Sequence, residues 1–154
     1  MLKTPLARTF QRPAKQRRLM LLSTFLVEDK PEIRDTMVES MQEVAPVKFV
    51  GYAETESAAR QWLKENNNNW ELMIVDLFLA EGSGFGVIQD CQTRKPNQKV
   101  VVLTSYNYPL IANKCMKLGA DMVFDKSSEL DLLVAFCKIH ADKLGEIGAR
   151  PALH

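Results

Sequence analysis

Histidine is scarce in this sequence: of 154 residues only His140 and His154 are histidine, both near the C-terminus. That leaves little room for histidine-based acid–base chemistry or for most transition-metal sites. Cysteine is nearly as rare. Cys91, Cys115 and Cys137 are odd in number and widely spaced, which fits neither a disulfide framework nor a zinc site and reads as buried thiols in a reducing cytosol. No apolar run approaches the ~20 residues of a membrane span. The run at residues 19–27 lacks a small-residue cleavage site and ends directly in Glu28-Asp29-Lys30. It therefore reads as a first buried strand rather than a secretory signal. A soluble, cytoplasmic protein is the expectation.

What is present is an ordinary globular composition, 46% apolar and 25% charged, in a length that suits one domain. The net charge of +1 hides an asymmetry. Residues 1–27 carry Lys3, Arg8, Arg12, Lys15, Arg17 and Arg18 and no acid, so of the chain's 20 basic residues 14 remain to face all 19 acidic ones. With Pro5, Pro13 and little apolar periodicity, residues 1–22 are expected to be a basic, mobile arm. The arm has no helix-turn-helix or interleaved aromatics to read bases, so no DNA-binding domain is expected. A single domain is expected over residues 23–144. Gly145, Gly148 and Pro151 then mark a frayed tail over 145–154, too short for a further domain.

Five short apolar runs alternate with amphipathic stretches. Phe25-Leu26-Val27 forms the core of a first strand, and Pro31 opens a helix whose inner positions are Ile33, Met37, Val38, Met41 and Val44. Val47 to Tyr52 reads as a second strand, followed by a helix with Ala58, Ala59, Trp62 and Leu63 inward. Asn66 to Asn69 makes a loop. Leu72 to Val75 is unbroken in hydrophobicity, which implies a strand covered on both faces. Gly82, Gly84 and Gly86 form a turn matching no phosphate-loop pattern. Lys99 to Leu103 and Met122 to Phe124 are the fourth and fifth strands, separated by a helix ending at Gly119. Ser127 or Ser128 caps a last helix with Leu130, Leu133, Val134, Phe136 and Cys137 inward. Such β-α alternation predicts an α/β, flavodoxin-like doubly wound parallel sheet of order 2-1-3-4-5, with helices on both faces.

Ligands in this architecture sit beyond the carboxyl ends of the strands. There the first strand ends in Glu28-Asp29, the third in Asp76, the fourth in Thr104-Ser105 and the fifth in Lys126. Three converging carboxylates repel one another unless a cation lies between them. An all-oxygen set favours a hard ion, Mg2+ being the usual choice beside phosphate. A hydroxyl at Thr104 and an ammonium at Lys126 suit phosphoryl oxygens. Together these groups describe acceptance of a phosphoryl group by an aspartate.

Four segments carry a family resemblance: Phe25 to Pro31, Met73 to Leu79 continuing to Ser83-Gly84, Val101 to Ser105, and Gly119 to Lys126. In this order and separation they resemble the receiver domain of two-component response regulators, from about Ser23 to Leu144. The resemblance implies Asp76 as phosphoacceptor and Asp29 as a direct Mg2+ ligand. It implies support from Glu28 and the backbone carbonyl of Phe78 as a further metal ligand. Thr104 would bond the phosphoryl oxygen and Lys126 would pair with the acyl phosphate. The implied phosphodonor is a histidine kinase or phosphotransfer protein, and the implied output is contact with a further protein at the face of the fourth helix, fifth strand and fifth helix. Catalysis would be confined to the domain's own phosphoryl acceptance and loss.

The chain departs from the family at three places. Ser127 stands where a proline in a cis peptide is usual, and a cis bond before a non-proline residue costs about 3–4 kcal/mol. Ala80 stands where proline is common. Val123 stands where the family generally carries Tyr or Phe, leaving Tyr106 or Tyr108 to report any movement of Thr104. These departures motivate an alternative reading, an adaptor that uses the same fold as a constant binding surface without phosphorylation. A flavin or nucleotide binder of the same fold class lacks a phosphate loop and rim residues suited to stacking.

Overall fold

The structure, a computed structural model, describes residues 20–149. The expectations for most of the basic arm, and for the tail from residue 150, fall outside the described residues. The apolar runs form β1 (Leu22–Val27), β2 (Val47–Ala53), β3 (Leu72–Val75), β4 (Lys99–Thr104) and β5 (Met122–Asp125). Between and after them lie α1 (Pro31–Val44), α2 (Glu56–Asn66), α3 (Gly84–Asp90), α4 (Pro109–Leu118) and α5 (Leu130–Ala149). All strand pairs are parallel and the order is β2-β1-β3-β4-β5, the doubly wound topology that strict alternation implies.

Strand side chains alternate between the two faces of the sheet, and the core divides accordingly. Phe25, Val27, Met73, Val75, Val100 and Val102 pack with Ala59, Leu63, Val87, Ile88 and Cys115 on the side of α2, α3 and α4. Leu22, Leu26, Ile74, Val101 and Leu103 pack with Met37, Met41, Leu133 and Cys137 on the side of α1 and α5. Every residue of β3 is buried, as its uninterrupted hydrophobicity requires.

The helix ends follow local chemistry. Thr55 caps α2, its side chain accepting from the Ala58 amide at 3.1 Å. Pro31 and Pro109 occupy first turns, where a missing N–H costs nothing. Gly119 closes α4 in the left-handed region at φ 113°, a position that suits a residue without Cβ.

Three expectations are corrected. Ala58, Val44 and Leu130 are exposed rather than inward, the last two at 55% and 44%. Neither Ser127 nor Ser128 caps α5 with its side chain. Instead the Ser127 hydroxyl donates back to Asp125 Oδ1 at 2.7 Å, and the same oxygen accepts from the Ser127 and Ser128 amides at 2.8 and 3.1 Å, which turns that hydroxyl away from the first turn of α5. Finally α5 runs through Gly145 and Gly148 to Ala149 rather than fraying after Leu144. Each glycine costs about 1 kcal/mol against alanine, a penalty a long helix absorbs.

The three cysteines are buried and unpaired as disulfides. Burial pushes the Cys91 and Cys137 thiols up to about 12 and Cys115 up to about 11, which makes them inert packing groups. His140 is buried, its ring nitrogen 3.2 Å from the Glu71 carbonyl oxygen. Among the described residues no helix is long and apolar enough to cross a membrane.

Candidate functional site

Because the five strands are parallel, their carboxyl ends share one rim. The acidic residues of the first and third strand ends meet there. One carboxylate oxygen from each of Glu28, Asp29 and Asp76 lies within 4.8 Å of the others. β1 and β3 are adjacent and in register, Val27 opposite Val75, so residues one and two positions further along must converge.

Lys126 reaches the same point from β5. Its Nζ donates to Glu28 Oε1 at 2.6 Å and to Asp76 Oδ2 at 3.3 Å. The Lys126 amide also donates to the Thr104 carbonyl at 2.9 Å, tying the end of β5 to that of β4. No cis peptide is present among the described residues. The loop after Lys126 is shaped instead by Asp125, whose Oδ1 also accepts the Ser127 hydroxyl at 2.7 Å. Glu129 Oε1 accepts the Asp125 amide in return at 2.7 Å.

The electrostatics follow from burial. Glu28 is 1% exposed, and burial raises its pKa against the opposing pull of Lys126. Burial likewise raises that of Asp76, opposed by Lys126 and by the Phe78 amide, which donates to Asp76 Oδ1 at 3.4 Å. For Lys126 burial acts downward, but the bonds and charges of Glu28 and Asp76 outweigh it, and its pKa is raised. Asp125, by contrast, has its pKa lowered by the bonds from Ser127 and Ser128.

Asp29 is held differently. Its Oδ2 accepts the Ala80 amide at 2.9 Å, while its Oδ1 is buried with no hydrogen-bond partner. An orphaned carboxylate oxygen costs about 1–3 kcal/mol or more unless something answers it. A hard divalent cation answers it, and the all-oxygen donor set fits one.

Thr104 is fully buried at the end of β4, its hydroxyl accepting the Tyr106 amide at 3.1 Å. Phe78 and Tyr106 stand edge to face over the rim with centroids 5.0 Å apart, each about half exposed. Val123 is half-buried and packs against the core under α2, α3 and α4, and its neighbour Phe124 is buried on the opposite face. No aromatic occupies the Val123 position, as the sequence states.

Two contributors escaped sequence reasoning. Glu56 holds the loop after Asp76, its Oε1 accepting the Ser83 amide at 2.9 Å. Its only sequence signal is a place in the first turn of α2. Ala80 supplies the amide that holds Asp29, visible in the sequence only as a missing proline, the one residue without that N–H.

A family model described as the response regulator receiver domain matches residues 24–138. Among curated relatives, the chain is 28% identical over 112 residues to a cyclic di-GMP phosphodiesterase of Thermotoga maritima, covering 73% of this chain and 29% of that protein. It is 24% identical over 104 residues to the transcriptional regulatory protein CitB of Klebsiella pneumoniae, covering 68% of this chain and 42% of that protein. The chain thus spans less than half the length of these curated relatives. Among solved structures, the signal receiver domain of a Luxo repressor protein from Vibrio parahaemolyticus aligns with TM-score 0.70 at 21% identity, covering 86% of this chain and all of that one. A response regulator protein from Burkholderia pseudomallei with a phosphorylated aspartic acid, calcium ion and citrate aligns with TM-score 0.62 at 23% identity, covering 86% of this chain and 77% of that one.

Proposed function

This chain belongs to the response regulator receiver family, and from that premise we propose that it accepts a phosphoryl group on Asp76 from a histidine kinase or a histidine phosphotransfer protein. The observation that carries the proposal is the meeting of Glu28, Asp29, Asp76 and the Lys126 ammonium at one point of the rim. A nucleophilic carboxylate beside a fixed ammonium suits a reaction in which negative charge gathers on the phosphoryl oxygens.

In the proposed step an Asp76 oxygen attacks phosphorus in line with the donor's phosphorus–nitrogen bond. That bond breaks as the new phosphorus–oxygen bond forms, and its electron pair leaves on the imidazole. Lys126, released in part from Asp76, pairs with a phosphoryl oxygen. The Thr104 hydroxyl turns from the Tyr106 amide toward the acyl phosphate. Asp29 and Asp76, with Glu28 and the Phe78 carbonyl, would hold Mg2+, which supplies positive charge to the transferring oxygens. Hydrolysis of the acyl phosphate returns the domain to rest, so catalysis is directed at its own covalent state.

The signal leaves by protein contact at the face of α4, β5 and α5, where Tyr108, Leu110 and Met122 are exposed. A second reading, the phosphorylation-independent adaptor, draws on Val123, which leaves the usual aromatic position filled by a side chain packed into the core.

Incubation with a small phosphodonor and Mg2+, followed by intact mass, separates the two. A gain of one phosphoryl group that Asp76→Ala abolishes supports the proposal. No gain, with partner binding retained, supports the adaptor.

A further inference from the structure

The cleft between α1 and α5 is an apolar groove of about 870 Å3. Ile33, Met37, Met41 and Val44 form one wall, and Leu130 and Val134 the other. Val44 and Leu130 stand open to solvent here although the apolar spacing of both helices points them inward. An apolar cleft of this size on a small domain marks a surface that something covers.

The chain itself leads into it. Met20, the first described residue, packs against the core cluster that includes Met37 and Met41, both of which line the groove. The Leu22 amide donates to the Pro46 carbonyl at 2.8 Å, so the described chain begins near the C-terminal end of α1. With 14 residues α1 is roughly 21 Å long. Nineteen residues would reach roughly 60 Å extended and roughly 28 Å as a helix, long enough to span the groove either way.

Charge points the same way. Glu32 and Asp131 line the groove. Helical spacing sets the exposed Glu39 and Glu43 along the same side of α1 as Glu32, and the exposed Asp142 along the same side of α5 as Asp131. Opposing them are Lys138 and Lys126, whose ammonium is already engaged by Glu28 and Asp76. Residues 1–19 carry Lys3, Arg8, Arg12, Lys15, Arg17 and Arg18 without an acid, together with the apolar Leu2, Leu6 and Phe10.

We propose that residues 1–19 of this chain dock in the α1–α5 groove, apolar side chains against Val44, Leu130 and Val134 and basic side chains against the carboxylates of its rim. The docking does not depend on phosphoryl chemistry at Asp76.

Paramagnetic relaxation in the full chain tests it. The native thiols are buried, so a nitroxide on Thr9→Cys labels one position. Expected is broadening of the Thr36, Ser40, Val44, Val134 and Lys138 amides at least threefold beyond that of α2 and α3 amides, and its loss in about 0.5 M salt. Val44→Glu, an exposed position, and separately Arg12→Glu with Arg17→Glu and Arg18→Glu, which leave the domain untouched, should each relieve it. Broadening spread evenly, centred on another face, or indifferent to these substitutions overturns the proposal. So does equal broadening of an unlabelled isotopic chain by a spin-labelled one, which would make a second copy the occupant.

Discussion

The Lys126 ammonium lies 2.6 Å from Glu28 and 3.3 Å from Asp76. Its tighter partner is thus the more deeply buried carboxylate, and it acts as a resident countercharge that competes with any divalent cation. Lys126→Ala should leave the Glu28 and Asp76 carboxylates without their cation. Removing one member of a buried pair costs about 3–5 kcal/mol, discounted here to about 2 because Lys126 is partly solvated. The melting temperature without Mg2+ should fall by roughly 4–8 °C. Calorimetric titration should show Mg2+ binding several-fold tighter than in wild type, while phosphoryl uptake slows. Unchanged or weaker Mg2+ binding would show that Lys126 does not compete.

The raised pKa of Asp76 makes its ionised form a burden on the fold, burial outweighing Lys126. The burden is present when pH is above that raised value and absent below the ordinary 3.8. Asp76→Asn should therefore stabilise the Mg2+-free protein at pH 7 by about 1 kcal/mol. The gain should close as pH falls through the raised pKa, where the wild-type carboxyl takes a proton. Melts from pH 7 downward in chelator check this. A gain that persists unchanged at acid pH would assign it to packing instead of charge.

The topology was legible because each strand is a solid apolar run and each helix has its own period, so alternation alone fixes a doubly wound sheet. The acidic cluster was legible for a related reason: parallel strands share one rim, and a charged residue ending an apolar run must sit on it. What escaped were backbone donors and long-range side-chain contacts. The Ala80 amide on Asp29 and the Glu56 carboxylate on Ser83 leave no periodic trace. The outward placing of Val44 and Leu130 escaped too, since helical spacing says which face is apolar but not whether a neighbour covers it.

The loop after Lys126 keeps its shape through Asp125 rather than through a proline. Asp125 Oδ1 gathers the Ser127 amide, the Ser127 hydroxyl and the Ser128 amide. Asp125→Ala removes all three acceptances and should lower stability measurably more than Ser127→Ala, which removes one. Asp125→Asn keeps an oxygen acceptor and should recover most of the loss. Because Lys126 lies within this loop, phosphoryl uptake from a small phosphodonor should slow in Asp125→Ala and return in Asp125→Asn. Denaturant melts and uptake rates on the three variants decide it. Equal slowing in Ala and Asn variants would give the role to the charge and not to the geometry.

Gly84 marks the closest approach to the phosphoacceptor's own backbone. A Cβ there would run into the Asp76 carbonyl oxygen and lie 2.7 Å from Val75 Cγ1 and 2.9 Å from Leu77 Cα. Two of these neighbours are main chain of the strand end that carries Asp76, so neither can move without displacing the carboxylate. At Gly86 the three atoms nearest a Cβ all belong to the carboxylate end of Glu56, a side chain able to swing away at the loss of its bonds to the Ser83 amide and Arg60. Overpacking against rigid atoms costs about 1–3 kcal/mol or more. Gly84→Ala should therefore lower the melting temperature by roughly 2–12 °C and suppress Mg2+-dependent phosphoryl uptake. Gly86→Ala should cost less than half as much stability and leave uptake largely intact. The reverse order of the two would mean that Glu56, rather than the backbone of the β3 end, is the rigid part holding this loop.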